Sequence, residues 1–218
     1  MPQTQHSVLI DPVELLGELH PLVEQLGSTD GLVSLNAISA SLQVGEINSV
    51  AALESFIAAY QCRLLIPLEL PVILKAYHHA NRNELRELIA LDQSLASEAR
   101  LQEFASASKR VGSSQLKRLR PLRDQRLVQR YLHAVENGEA NGWHTIVYGL
   151  TLSLYSLPLR QGLLNYAQQV LGGFLTAASR PLRLSETSRL ERLHEFCLPL
   201  PAAIDASLGV DSATLRGA

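Results

Sequence analysis

Hydrophobic residues recur at helical spacing along almost the whole of this chain. In "SVAALESFIAAYQCRLLI", Leu53, Phe56, Ile57 and Tyr60 fall at i, i+3, i+4 and i+7, one face of an α-helix. Helical patterning continues through "NELRELIALDQSLAS", "EARLQEFASASKRVGSSQLKRL" and "QRLVQRYLHAVENG". It resumes in "WHTIVYGLTLSLYSL", "LRQGLLNYAQQVLGGFLTAAS" and "RLERLHEFCLPLPAAIDASLG". No stretch alternates polar and apolar residues between hairpin turns, as a half-buried strand would. Aromatics make up only 5% of the chain against 46% hydrophobic residues overall, so the core must pack through aliphatic side chains, which favours helices over sheets. The expectation is all-α: one domain over residues 1–218, a bundle of about ten helices.

Local signals set the expected helix ends. Asp11 and Pro12 read as an N-cap and first-turn proline for "VELLGELHPLVEQLG", which Pro21 interrupts. Gly45 reads as the C′ glycine of "DGLVSLNAISASLQVG", and Asn48 as the cap of the helix after it. Pro67 and Pro71 are expected to bound a turn before "VILKAYHHA". Ser188 and Glu191 have capping-box spacing. Gly172 and Gly173, inside a helical pattern, suggest close helix–helix contact.

Several chemistries are absent as motifs. There is no G-x-x-x-x-G-K-[ST] loop, no G-x-G-x-x-G after a strand, no H-E-x-x-H, no C-x-x-C and no nucleophile elbow. No catalytic residue and no cofactor site is expected. His194 and Cys197, three apart, supply half of a soft-metal site at most, and the adjacent His78 and His79 point apart on a helix, so no metal site is expected either. Cys62 and Cys197 are too few for a disulfide framework. The start "MPQTQHSVLI" lacks a secretion signal, and the apolar runs "TIVYGLTLSLYSLPL" and "QQVLGGFLTAAS" are too short to cross a bilayer. A cytoplasmic protein without membrane attachment is expected.

Charge is uneven although the net value is only −2. Lys109, Arg110, Lys117, Arg118, Arg120, Arg123, Arg126 and Arg130 crowd one region in which Asp124 is the only acid. This reads as a solvated helix face, as a surface for an acidic partner, or as a nucleic-acid site. No aromatic residue lies between Lys109 and Arg130 to stack on bases, which disfavours single strands.

The stretch "LGGFLTAASRPLRLSET" carries an apolar helix into Arg180, Pro181 and Arg183 before Ser185, Glu186 and Thr187. Pro181 is expected to stop that helix, because proline disfavours helical geometry in the residue before it. Ser185 or Ser188 then starts the next helix. A fixed arginine suits bidentate recognition of a carboxylate on another chain. Equally, Arg180 can pair internally with Glu186 and tether the turn.

With these segments in view, the chain resembles the UreF family of urease accessory proteins. His144, Gly149, Tyr166, Ala177, Ala178, Arg180, Leu184 and Thr187 fall in register with the family's Gly-His run, tyrosine helix and Ala-Ala-x-Arg ending. Leu91, Asp92, Glu103, Ala107, Ser108 and Gly112 are similar to its Leu-Asp…Glu…Ala-Ser-x-x-x-Gly helix pair, and "VGEINSVAALESFI" is similar, more weakly, to an Ala-Gly turn and helix. Two family features differ: Phe-Ser-x-Ser-x-Gly-Leu-Glu is not recognisable in "GLVSLNAISASLQ", and Gly-Gln is replaced by Ser185-Glu186.

The resemblance implies an all-helical, non-catalytic scaffold that dimerises and binds UreD (also called UreH). Together they recruit the GTPase UreG for nickel insertion into apo-urease. Under it, partner contacts are expected at Arg180, Glu186, Tyr166, Lys109, Arg110, Gly112 and His144. The alternatives are a paralogue scaffolding another complex and a nucleic-acid-binding module built on residues 109–130.

Overall fold

A computed structural model describes residues 31–214, and among them no strand occurs. The helices run α1 (Gly31–Ser41), α2 (Val50–Tyr60), α3 (Leu70–Asn81), α4 (Leu85–Leu95), α5 (Ala105–Arg118), α6 (Arg126–Glu136), α7 (His144–Leu154), α8 (Leu159–Ser179), α9 (Glu186–Cys197) and α10 (Leu200–Thr214). A π-helical segment (Gln61–Glu69) joins α2 to α3, and a 3-10 turn (Ala99–Phe104) leads into α5. The fold is all-α. The expected helix around Asp11 and Pro12 lies outside the described residues.

Buried residues from Leu35 to Ile204 form a single core. At its centre is α7, in which every residue from His144 to Leu152 is buried. A helix enclosed on all sides needs no polar face, which is why its apolar pattern lacks strong periodicity. Helices α3 and α5 pack along it. At the α3–α7 crossing a Cβ on Gly149 would lie 2.5 Å from the Ile73 carbonyl oxygen, so only glycine permits the approach. Helix α8 completes the interior, with Phe174 edge-on to Phe56 and Tyr60 at 5.1 and 4.7 Å between centroids.

The prolines behave differently from expectation. Pro67 and Pro71 do not bound a turn; the chain stays helical from Val50 to Asn81, with Pro67 inside the π segment. In an α-helix the Pro67 position would supply an N–H to the Arg63 carbonyl, which proline cannot do. That carbonyl accepts from Arg100 Nη1 at 2.9 Å instead. The resulting helix is long and apolar enough to cross a bilayer by length and composition. Its apolar face, with Leu53, Phe56, Ile57, Tyr60, Leu64 and Leu65, is instead buried in the core.

Other helix ends also moved. Gly45 is not the C′ residue: α1 ends at Ser41, and Gln43 takes the left-handed conformation, φ 55°. Ser49 rather than Asn48 caps α2, accepting from the Ala52 N–H at 3.2 Å. Ser185 rather than Ser188 caps α9 and accepts from the Ser188 N–H. Gly172 is not a tight contact either, since a Cβ there would meet Leu193 at an ordinary 3.6 Å.

Candidate functional site

The turn between α8 and α9 presents two exposed cations, Arg180 and Arg183. Arg180 keeps helical angles, φ −67° and ψ −49°, despite the proline that follows. The Leu182 N–H still bonds the Ala178 carbonyl at 3.0 Å, so Pro181 does not stop the helical path. The stop comes at Arg183, which adopts φ 54°. The Leu184 N–H reaches back to the Ser179 carbonyl at 2.8 Å, and the Arg183 N–H to the Arg180 carbonyl at 3.3 Å. These paired bonds make a Schellman motif with arginine in the C′ position usually given to glycine.

Arg180 and Arg183 are both exposed, and neither makes an ion pair among the described residues. The internal pairing expected between Arg180 and Glu186 is not formed. Glu186 binds Arg189 at 2.5 Å, one helical turn along α9, and the guanidinium holds its carboxyl below the usual range. The i,i+3 spacing within α9 wins over the longer reach across the turn.

Arg183 is named in the sequence stretch but is given no interface role there. The signal was Leu184 behind it, since a Schellman motif places a hydrophobic residue directly after its left-handed position.

Of the remaining expected interface residues, Arg110 is exposed, whereas Lys109 is half-buried with its ammonium 4.9 Å above the Trp143 ring. Gly112, His144 and Tyr166 are interior. A Cβ on Gly112 would overlap the Gly142 carbonyl oxygen and sit 2.8 Å from the His144 nitrogen. His144 and Tyr166 are 2% and 1% exposed, so both side chains are enclosed by this chain's own helices.

His144 and Tyr166 belong to a buried polar network that links the helices. The Ser108 hydroxyl lies 2.5 Å from His144 Nδ1, and His144 Nε2 lies 2.7 Å from the Tyr166 hydroxyl. Tyr166 also hydrogen-bonds the Glu69 carboxyl, to which Tyr60 donates at 2.8 Å. One proton order satisfies the chain: Ser108 donates to Nδ1, Nε2–H donates to Tyr166, and Tyr166 donates to Glu69. Burial pushes Glu69 up to about 7 even though both tyrosines act to lower it. Burial likewise raises Tyr60 and Tyr166, with the nearby Glu69 carboxyl adding to the effect.

Glu69 was not anticipated as a network residue, although a lone acid in "LLIPLELPVIL" was the visible cue.

A second buried acid, Asp92, organises the entry to α7. It accepts from the Tyr131 hydroxyl at 2.6 Å and from the backbone N–H groups of Asn141, Gly142 and Trp143 at 2.5, 2.9 and 3.1 Å. Three converging backbone N–H donors and a phenol thus satisfy its two oxygens.

The Ser108–His144 pair has the chemistry of a hydrolytic site but no access: Ser108 is fully buried, and the adjoining cavity is about 10 Å³. It joins α5, α7 and α8. Among the described residues no three His, Cys, Asp or Glu side chains group to hold a metal. His194 is exposed, and burial pushes the Cys197 thiol up to about 11.

The described residues thus form an all-helical body with buried polar cross-links and a cationic turn at its surface. A family model, UreF, matches residues 47–196, and the chain belongs to the UreF family. The urease accessory protein UreF of Actinobacillus pleuropneumoniae is 24% identical to it over 196 residues, covering 90% of this chain and 86% of that protein. Its counterparts from serotype 3 (strain JL03) and serotype 5b (strain L20) match to the same extent.

Proposed function

We propose that this protein is a non-catalytic urease accessory scaffold in the cytoplasm. It binds a UreD/UreH-type protein and recruits a UreG-type GTPase for nickel insertion into apo-urease. Family membership supports the accessory role. The observation that carries the partner reading is the pair of exposed arginines, Arg180 and Arg183, on a backbone turn closed by Schellman bonds and without internal counter-ions among the described residues. The turn sets where both arginines leave the backbone, and the planar guanidinium is suited to bidentate pairing with a carboxylate.

Self-association is part of the same reading. No residue of α9 is buried, and Leu190 and Leu198 are 51% and 63% exposed. Apolar residues on a helix that covers one side of the bundle suit a homodimer contact.

Co-expression with UreD/UreH-type and UreG-type proteins, followed by affinity capture, tests the proposal. The Arg180→Ala/Arg183→Ala variant is expected to retain at least about tenfold less partner than the parent chain, the order expected for losing two charge-assisted contacts. Equal retention of every partner would remove this turn from the interface.

A further inference from the structure

Glu69 Oε2 and Trp143 Nε1 are buried and meet no hydrogen-bond partner among the described residues. Both residues are 1% exposed, and both line one interior cavity of about 10 Å³. Glu69 closes the π-helical segment that leads into α3, and Trp143 is the residue before α7. Ser108, on α5, lines the same cavity.

A donor and an acceptor left unpaired in the interior are each strongly unfavourable, because neither recovers the hydrogen bond to water that it gives up on folding. The two atoms do not bond each other. Leu68, Val72, Leu95 and Leu101 also line the cavity, and their side chains offer neither atom a polar partner. The cavity's volume matches about the 10–15 Å³ that a single water requires, and it excludes any larger ligand. Its polar groups set it apart from a wholly apolar cavity, which stays dry.

We propose that one water molecule is bound here as an internal part of the protein, accepting from the Trp143 indole N–H and donating to Glu69 Oε2 and to the Ser108 hydroxyl. Ser108 has the capacity to accept. Its hydroxyl hydrogen goes to His144 Nδ1 and one lone pair receives the His144 N–H at 3.4 Å, which leaves the other lone pair for the water. The water thereby closes Ser108, His144, Tyr166 and Glu69 into a ring of hydrogen bonds that joins α5, α7, α8 and the π-helical segment. It suits either form of Glu69. A carboxylate accepts from the water, whereas a carboxylic acid donates its Oε2–H to the water's second lone pair.

Crystallography of the full-length chain and Raman spectroscopy in solution test this together. One density peak is expected in the cavity, about 2.7–3.2 Å from both Trp143 Nε1 and Glu69 Oε2. Trp143 is the only tryptophan of the chain, so the ultraviolet resonance Raman band of the indole N–H reports this site alone. That band should sit at its hydrogen-bonded position in the native protein. Glu69→Met/Ser108→Ala removes both acceptors of the water and keeps the indole. The density peak should then be lost, and the band should move to the position of a free N–H. The native measurements decide the matter even where this variant fails to fold. An empty cavity, a peak in reach of only one of the two atoms, or a free indole N–H in the native protein would overturn the proposal, as would an unmoved band in the folded variant.

Discussion

The guanidinium of Arg100 donates to the backbone carbonyl of Arg63 at 2.9 Å, filling the hydrogen bond that Pro67 removes from the long helix. The same guanidinium is held in place by Glu98 at 2.8 Å. A distant side chain thus repairs a backbone defect in the core helix.

Arg100→Ala is therefore expected to destabilise the protein by about 1 kcal/mol. That is the scale of one hydrogen bond to a charged donor, reduced because the side chain is partly exposed. Urea unfolding of the variant measures it, and a midpoint equal to the parent's would show that water replaces the guanidinium without loss.

Glu69 makes stability depend on pH. Its folded pKa of about 7 lies above the unfolded value of 4.5, so the folded chain binds more protons between those limits. Stability is full below pH 4.5, falls as pH rises toward 7, and levels off above it, a loss of about 3 kcal/mol. Glu69→Gln should remove that slope. Unfolding free energies of both proteins at pH 5 and pH 8 give the comparison, and parallel pH profiles would contradict a buried proton at this site.

Gly112 and Gly172 should respond oppositely to alanine. At Gly112 the new methyl would overlap the Gly142 carbonyl and strain the entry to α7, for a loss of about 3 kcal/mol or failure to fold. At Gly172 the methyl has ordinary contact distance and gains helix propensity, so a change between zero and about 1 kcal/mol of stabilisation is expected. Thermal melts of the pair decide this, and a Gly172→Ala loss matching that of Gly112→Ala would refute the packing described.

Arg183→Gly separates stability from recognition. Glycine carries no steric penalty at φ 54°, so the variant should gain about 1 kcal/mol while losing one of the two presented cations. Stability from denaturant melts should rise and partner capture should fall. A variant that is both more stable and fully competent would show that Arg183 is there for neither purpose.

Helical periodicity made the all-α class and the buried faces legible, because the 3.6-residue repeat is a local property. Leu53, Phe56, Ile57 and Tyr60 are buried as their spacing requires. Asp92, Ser108, Gly112, His144, Gly149 and Tyr166 were visible as matching positions of a family pattern. Yet four of them read as surface or neutral until the packing put Ser108, His144 and Tyr166 into one hydrogen-bonded chain, and Gly112 against the backbone of Gly142.

Local chemistry likewise marked the turn at Arg180 without saying which residue ends it. The amino-acid order alone decided the helical class, because side-chain period and propensity act within a few residues. Tertiary packing decided that Pro67 lies inside a helix and that an acid and a histidine are buried together. Those outcomes depend on groups far apart in the chain, such as Arg100 and Arg63 or Ser108 and His144, and no local pattern encodes the distance between them.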